Sequence, residues 1–201
     1  MLSTVERTEE KETKMDPRAR RTRQLLLDSL MDLLREKSFE EITVQDIAAR
    51  ATVNRATFYA HFPDKYALGD TLMQNEFTQI LQKRLPTGPA TPQDYVRSLL
   101  LAVTDHWMAL HGKCRKSYRV FESLVESLVK GILFNHVHAW IQERNSGSRQ
   151  DREMIATIVS ASIYSAAMQW TQVHRKESAE DFVGKAVPVI TASLLALESG
   201  Q

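Results

Sequence analysis

Apolar residues recur at three- and four-residue intervals along most of this chain, the spacing that lays one stripe down an α-helix. The first such stripe is Leu26, Leu30, Leu33 and Leu34. Asp16 and Pro17 open it as an N-cap and a first-turn proline, and Arg18, Arg20, Arg21 and Arg23 give the helix a basic front. Two short helices follow. Thr43 and Asp46 form a T-x-x-D capping box, with Ile42 and Ile47 placed as a hydrophobic staple around it, and predict a helix over about residues 44–51. Asn54 is an N-cap with Val53 and Phe58 at staple positions, and predicts a second over residues 55–62. Pro63 ends that helix, and Asp64 caps a fourth through Leu68, Leu72 and Phe77 towards Arg84.

Past the segment LPTGPATP at residues 85–92, four longer stripes continue the pattern. One carries Val96, Leu99, Leu100, Val103, Trp107 and Leu110, and the next Phe121, Leu124, Val125, Leu128, Ile132 and Val137. After the loop NSGSRQ come a helix with Ile155, Ile158, Val159, Ile163 and Trp170 and a last one with Phe182, Val189, Ile190 and Leu194. Ser178 and Asp181 cap the last helix, and Pro188 is expected to kink it near Gly184. The fold class is all-α: a disordered, mixed-charge tail over 1–15, a three-helix domain over 16–63, a connecting helix over 64–84 and a second helical domain over 85–201.

Composition agrees and narrows the classes. At 201 residues the chain can bury a core without staples, and only 7 Gly and 6 Pro leave little room for a turn-rich β architecture. The single cysteine, Cys114, excludes an intramolecular disulfide and a cysteine-cluster metal site, which fits a reducing cytoplasm. Flanking Lys113, Arg115 and Lys116 make it either an unreactive loop thiol or a redox sensor. His136 and His138 stand two apart, a spacing that sends them to different sides of a helix and away from a shared metal. No apolar run reaches the roughly 18 residues of a membrane span. No nucleophile and base pair, acid cluster or phosphate loop marks an enzyme, and no cofactor is expected. A net charge of +1 decides nothing, because steering depends on where the charge lies.

Two short helices joined by a tight turn and packed on a longer one describe a helix-turn-helix, whose second helix enters the DNA major groove. Projected at 100° per residue, Phe58 and Phe62 face one way while Ala56 and Ala60 lie opposite, flanked by Thr57 and Tyr59. Alanines permit close approach to a duplex, a threonine methyl can touch thymine, and Tyr59, His61 and Lys65 can donate to phosphates. The N-termini of this helix and the next add backbone N–H groups for phosphates. The alternative is that Tyr59 and His61 fill gaps between helices and that Arg55 is solvated surface.

Residues 42–68, ITVQDIAARATVNRATFYAHFPDKYAL, closely resemble the DNA-binding region of the TetR family of bacterial transcriptional regulators. The likeness lies in T-x-x-D-I-A-x-x-A, the T-F-Y-x-H-F box and D-K-x-x-L, and extends back to about residue 18. The resemblance implies that Thr43, Tyr59, His61 and Lys65 contact phosphates and that Val44, Gln45, Arg55, Ala56 and Thr57 approach bases or adjacent phosphates. Two positions depart from the family pattern. Thr52 stands at the usual turn glycine, so that either the backbone avoids positive φ or strain of about 1 kcal/mol is tolerated. Ser38 replaces the glycine that more often ends the first helix.

The resemblance further implies a homodimer built from the last two helices, a palindromic operator and a small-molecule effector, and with them a ligand-responsive repressor. Ile155, Val159, Ser162, Ile163, Ala166, Ala186, Ile190 and Ser193 are the candidate dimer contacts, with ordinary core as the alternative. His106, Trp107, Phe121, Phe134, Tyr164 and Met168 are the candidate effector pocket, again with core as the alternative. A helical protein-interaction adaptor without operator binding is the competing function.

Overall fold

A computed structural model describes residues 16–113, 118–144, 147–173 and 177–195, and their side chains except those of 111–113, 118–124 and 173. The expected tail over 1–15 and Cys114 lie outside these residues. Eight helices, and no strand, make up the described chain: α1 (Pro17–Glu36), α2 (Val44–Arg50), α3 (Arg55–His61), α4 (Lys65–Arg84), α5 (Pro92–Lys113), α6 (Tyr118–Glu143), α7 (Arg149–Val173) and α8 (Ala179–Leu195). None of these is long and apolar enough to cross a membrane.

The starts are set by short polar side chains that satisfy otherwise unpaired N–H groups. Asp16 accepts from the Arg18 N–H at 2.7 Å, and Asp64 from that of Ala67 at 2.8 Å. Reciprocal Ser/Thr and Asp pairs stand at Thr43 and Asp46, Thr91 and Asp94, Ser148 and Asp151, and Ser178 and Asp181. α1 ends at Lys37, whose backbone is extended at φ −143°, so the Ser38 position needs no glycine. Ser38 instead donates its N–H and hydroxyl to Glu41 at 2.9 and 2.8 Å. α8 runs through Pro188, which lies on its exposed side.

The chain forms two compact units. One comprises Met1–Asn75 and Leu110–Val125; the other comprises Glu76–Ala109 and Glu126–Gln201. The divisions between the units fall inside α4, α5 and α6. The Pro/Gly-rich segment at 85–92 joins α4 to α5 within the second unit, because α4 continues unbroken to Arg84. In the first unit Leu26, Leu30, Ile42, Ile47, Phe58 and Leu68 are wholly buried, and Phe39 and Phe62 nearly so. Burying Phe58 stabilises this small core by about 3 kcal/mol or more relative to alanine. In the second unit α7 packs along α8, and Val96, Leu99, Leu100, Val103 and Trp107 of α5 are buried with Val129, Leu133 and Val137 of α6.

Candidate nucleic-acid interface

The turn between α2 and α3 is a Schellman motif built on a threonine. The Val53 N–H reaches back to the Ala48 carbonyl at 2.9 Å and the Thr52 N–H to that of Ala49 at 3.1 Å, which ends α2 with two satisfied carbonyls. The motif requires a left-handed residue, and Thr52 supplies it at φ 55°, the one non-glycine with positive φ among the described residues. The strained alternative is therefore the one adopted.

Asn54 then starts α3 by accepting from the Thr57 N–H at 2.7 Å and from the Thr57 hydroxyl at 3.0 Å. Phe58 enters the core, and Arg55, Ala56, Tyr59 and Ala60 stay exposed, Tyr59 by 48%. The Arg55 guanidinium lies 6.0 Å from the Tyr59 ring centroid, one turn apart on the same side. Gln45 and Thr43 are exposed beside them in sequence on α2 and its cap, while Val44 and Thr57 are half-buried. The result is a short helix whose outward side offers small residues, one cation and one phenol.

Thr43 has internal partners as well as exposure. The Thr43 hydroxyl donates to Asp46 at 2.8 Å and accepts from the Asp46 N–H at 3.1 Å. His61 is half-buried, and burial, then the nearby Arg23 cation, hold its pKa below the usual 6.5. Burial thus favours its neutral form, a hydrogen-bonding group rather than a charge.

Lys65 departs furthest from expectation. Its ammonium donates to the carbonyls of Phe39, Glu40 and Ile42 at 2.9, 3.0 and 2.7 Å, and sits 4.9 Å from the Phe39 ring centroid. An ammonium has three protons, and all three are committed. In this conformation Lys65 is a strut that closes the loop between α1 and α2, in place of the free phosphate clamp expected of it. Burial accordingly lowers its pKa from 10.5.

Arg23 adds a residue to which the sequence pattern assigns no role beyond the basic front of α1. It lies half-buried on α1, with its guanidinium 4.2 Å from the Phe62 ring centroid. In sequence it reads as one more arginine of the basic front, of which Arg18, Arg20 and Arg21 are exposed.

The second unit brings together part of the candidate effector group. His106, Trp107 and Tyr164 are all buried, with ring centroids 6.1 Å apart for His106 and Trp107 and 6.0 Å for Trp107 and Tyr164. Phe77 meets His106 edge-on at 5.3 Å, and the Lys130 ammonium stands 5.0 Å from the Tyr164 ring centroid. Phe134 stacks instead on His138 at 5.7 Å, and Met168 is half-buried. The Phe121 side chain lies outside the described residues.

The candidate dimer contacts divide by burial. Ile155, Val159, Ile163 and Ile190 are at most 5% exposed within their own chain, so they belong to its core. Ser162, Ala166, Ala186 and Ser193 are half-buried. Among the described residues, the large apolar side chains left outside on these two helices are Met154, Ile158 and Val189, exposed by 51%, 43% and 71%.

Known proteins match on both counts, local sequence and overall fold. Residues 26–70 match the family described as bacterial regulatory proteins, tetR family. An uncharacterized HTH-type transcriptional regulator of Bacillus subtilis strain 168, YxbF, is 38% identical over 73 residues, which take in 36% of this chain and 19% of that protein. The matched stretch thus spans about a fifth of its length. The crystal structure of the TetR-family regulator SCO0857 from Streptomyces coelicolor A3 superposes with a TM-score of 0.64 at 16% identity, covering 87% of this chain and 94% of that one. RolR, solved with its ligand resorcinol, gives 0.60 at 16% identity over 92% and 96%. At such identities these structures establish the fold alone. With the capping boxes, the Schellman turn and the family match falling on the same residues, this chain is a helix-turn-helix protein whose N-terminal domain belongs to the tetR family of bacterial regulatory proteins.

Proposed function

We propose that the protein is a homodimeric, sequence-specific DNA-binding regulator of transcription, a repressor whose operator affinity responds to a small molecule held in the second unit. The observation that carries the reading is α3: a seven-residue helix anchored by Phe58 and capped by Asn54, with Arg55, Ala56, Tyr59 and Ala60 left on its outer side. Nothing in core packing requires an exposed tyrosine there. A duplex uses such a face, since small residues let the backbone approach base edges while hydroxyl and guanidinium groups donate to bases and phosphates.

Thr43, Tyr59 and His61 are assigned to phosphates, with Val44, Gln45, Arg55, Ala56 and Thr57 at bases or adjacent phosphates. Lys65 supports the site from behind. One such helix covers too few base pairs for tight binding, so a two-fold dimer on a palindrome is the arrangement proposed, with Met154, Ile158 and Val189 supplying its apolar contacts. For the effector, the grouping of His106, Trp107 and Tyr164 suits a small aromatic molecule, and the fold relative RolR was solved with resorcinol.

The test is selection of a binding duplex from a random pool, followed by titration of that duplex at increasing salt. Affinity should fall steeply with salt, and Tyr59→Ala should weaken binding across sequences. Arg55→Ala or Thr57→Val should change base preference at one position by about 1 to 3 kcal/mol. Enrichment of no sequence would leave the adaptor reading in place.

A further inference from the structure

A seven-residue helix has too few internal hydrogen bonds to hold its own direction, so whatever pins its two ends sets the angle at which it meets a partner. The N-terminal end of α3 is pinned by the Schellman turn and Asn54, and its middle by Phe58. The C-terminal end is held from elsewhere. Arg23, on α1, lays its guanidinium over the Phe62 ring at 4.2 Å and directs Nη1 to the His61 carbonyl at 3.4 Å. Its Nη2 points to the Thr71 hydroxyl of α4, also at 3.4 Å. A cation at the last carbonyls of a helix is favoured by the helix dipole, and a planar guanidinium can stack and donate at once where an ammonium cannot.

Building on the DNA-reading role proposed above, we propose that Arg23 is a positioning residue for the reading helix. It fixes the C-terminal end of α3 to α1 and to the first half of α4, and so sets the pose in which Arg55, Thr57 and Tyr59 meet a duplex, without touching the duplex itself. Neutralising a phosphate and orienting a helix leave different signatures. A lost phosphate contact flattens the dependence of affinity on salt by about one ion, whereas a lost orientation lowers specific affinity at an unchanged slope.

The probe is the duplex that the full-length wild-type protein enriches from a random pool. Arg23→Met, which keeps the apolar stem, should bind it about ten-fold or more weakly with the salt slope unchanged, and should discriminate less against unrelated duplex. Arg23→Lys should be impaired in the same way, since it keeps the charge but not the planar fork. Phe62→Leu removes the plate beneath the guanidinium, and combining it with Arg23→Met should cost little beyond the single change, because the two groups act as one.

Binding within two-fold of wild type by folded Arg23→Met would overturn the proposal. So would a reduced salt slope, which would make Arg23 a phosphate contact, or a fallen melting temperature with unchanged affinity, which would make it a general brace. Should Arg23→Met not fold, Arg23→Lys carries the same decision. A wild-type protein that enriches no duplex would overturn the DNA-reading function itself, and this inference with it.

Discussion

The ammonium of Lys65 donates to the carbonyl of Ile42 across 2.7 Å, although the two residues are twenty-three positions apart. With Phe39 and Glu40 accepting the other two protons, one side chain satisfies three carbonyls of the loop that delivers the chain into α2. Lys65→Met should therefore destabilise the first unit by about 2 kcal/mol, the scale for losing hydrogen bonds to a charged donor. Arginine should not restore the loss, since a planar fork cannot meet three carbonyls as a tripod does. Chemical denaturation of the two variants tests this, and a Lys65→Met protein as stable as wild type would remove the strut. A DNA salt slope unchanged in Lys65→Met would in turn separate support from phosphate contact.

Thr52 carries backbone strain that its neighbours do not relieve. It is exposed, its hydroxyl reaches only the Ala51 carbonyl at 2.7 Å, and its φ of 55° is imposed by the Schellman turn. Thr52→Gly should raise stability by about 0.5 kcal/mol, the left-handed penalty less the entropy glycine adds to the unfolded chain. Thr52→Val, which keeps the branched Cβ and drops the hydroxyl, should not gain. Thermal melts of the two variants decide the matter, and a glycine variant that melts below wild type would contradict the argument.

What the sequence made legible was local, and what it hid was distant. The caps at Asn54 and Asp64 and the pairs of Thr43 with Asp46 and Ser178 with Asp181 join residues three positions apart, and their spacing alone points to them. The burial of Phe58 and Phe62 follows from helical projection in the same way. The bonds of Lys65 and Arg23 join residues 23 to 48 positions apart, a relation that no spacing rule contains. α7 misled for another reason. Ile155, Ile158, Val159 and Ile163 make it apolar around much of its girth, so periodicity does not say which side is core. Packing with α8 decides it, burying Ile155, Val159 and Ile163 and leaving Ile158 outside.

Acid should weaken the start of α2. The Lys37 ammonium at 2.8 Å, then the Thr43 N–H and hydroxyl, hold the Asp46 carboxyl down from 3.8 to about 2. A carboxyl depressed in the folded state stabilises it fully above its unfolded value and loses that contribution as pH falls through the folded one. The contribution of Asp46 is thus present above about pH 4 and disappears towards pH 2. Asp46→Asn should melt lower than wild type at pH 6 and converge with it towards pH 2. Parallel melting curves across the whole range would show that the carboxylate charge is not what matters there.

Two of the outer apolar residues, Ile158 and Val189, separate self-association from core packing. Val189 is 71% exposed in its own chain, so Val189→Glu costs the monomer little and would place a charge in the proposed dimer contact. Ile163 is wholly buried, and Ile163→Glu would instead strand a charge in the core at a cost of about 3 kcal/mol or more. Sedimentation should accordingly find a folded monomer for Val189→Glu and for Ile158→Glu, with helix content kept in circular dichroism. Ile163→Glu should lose its cooperative melt rather than merely its partner. A Val189→Glu protein that remains dimeric would take that residue out of the interface, and a folded monomeric Ile163→Glu would return that position to it.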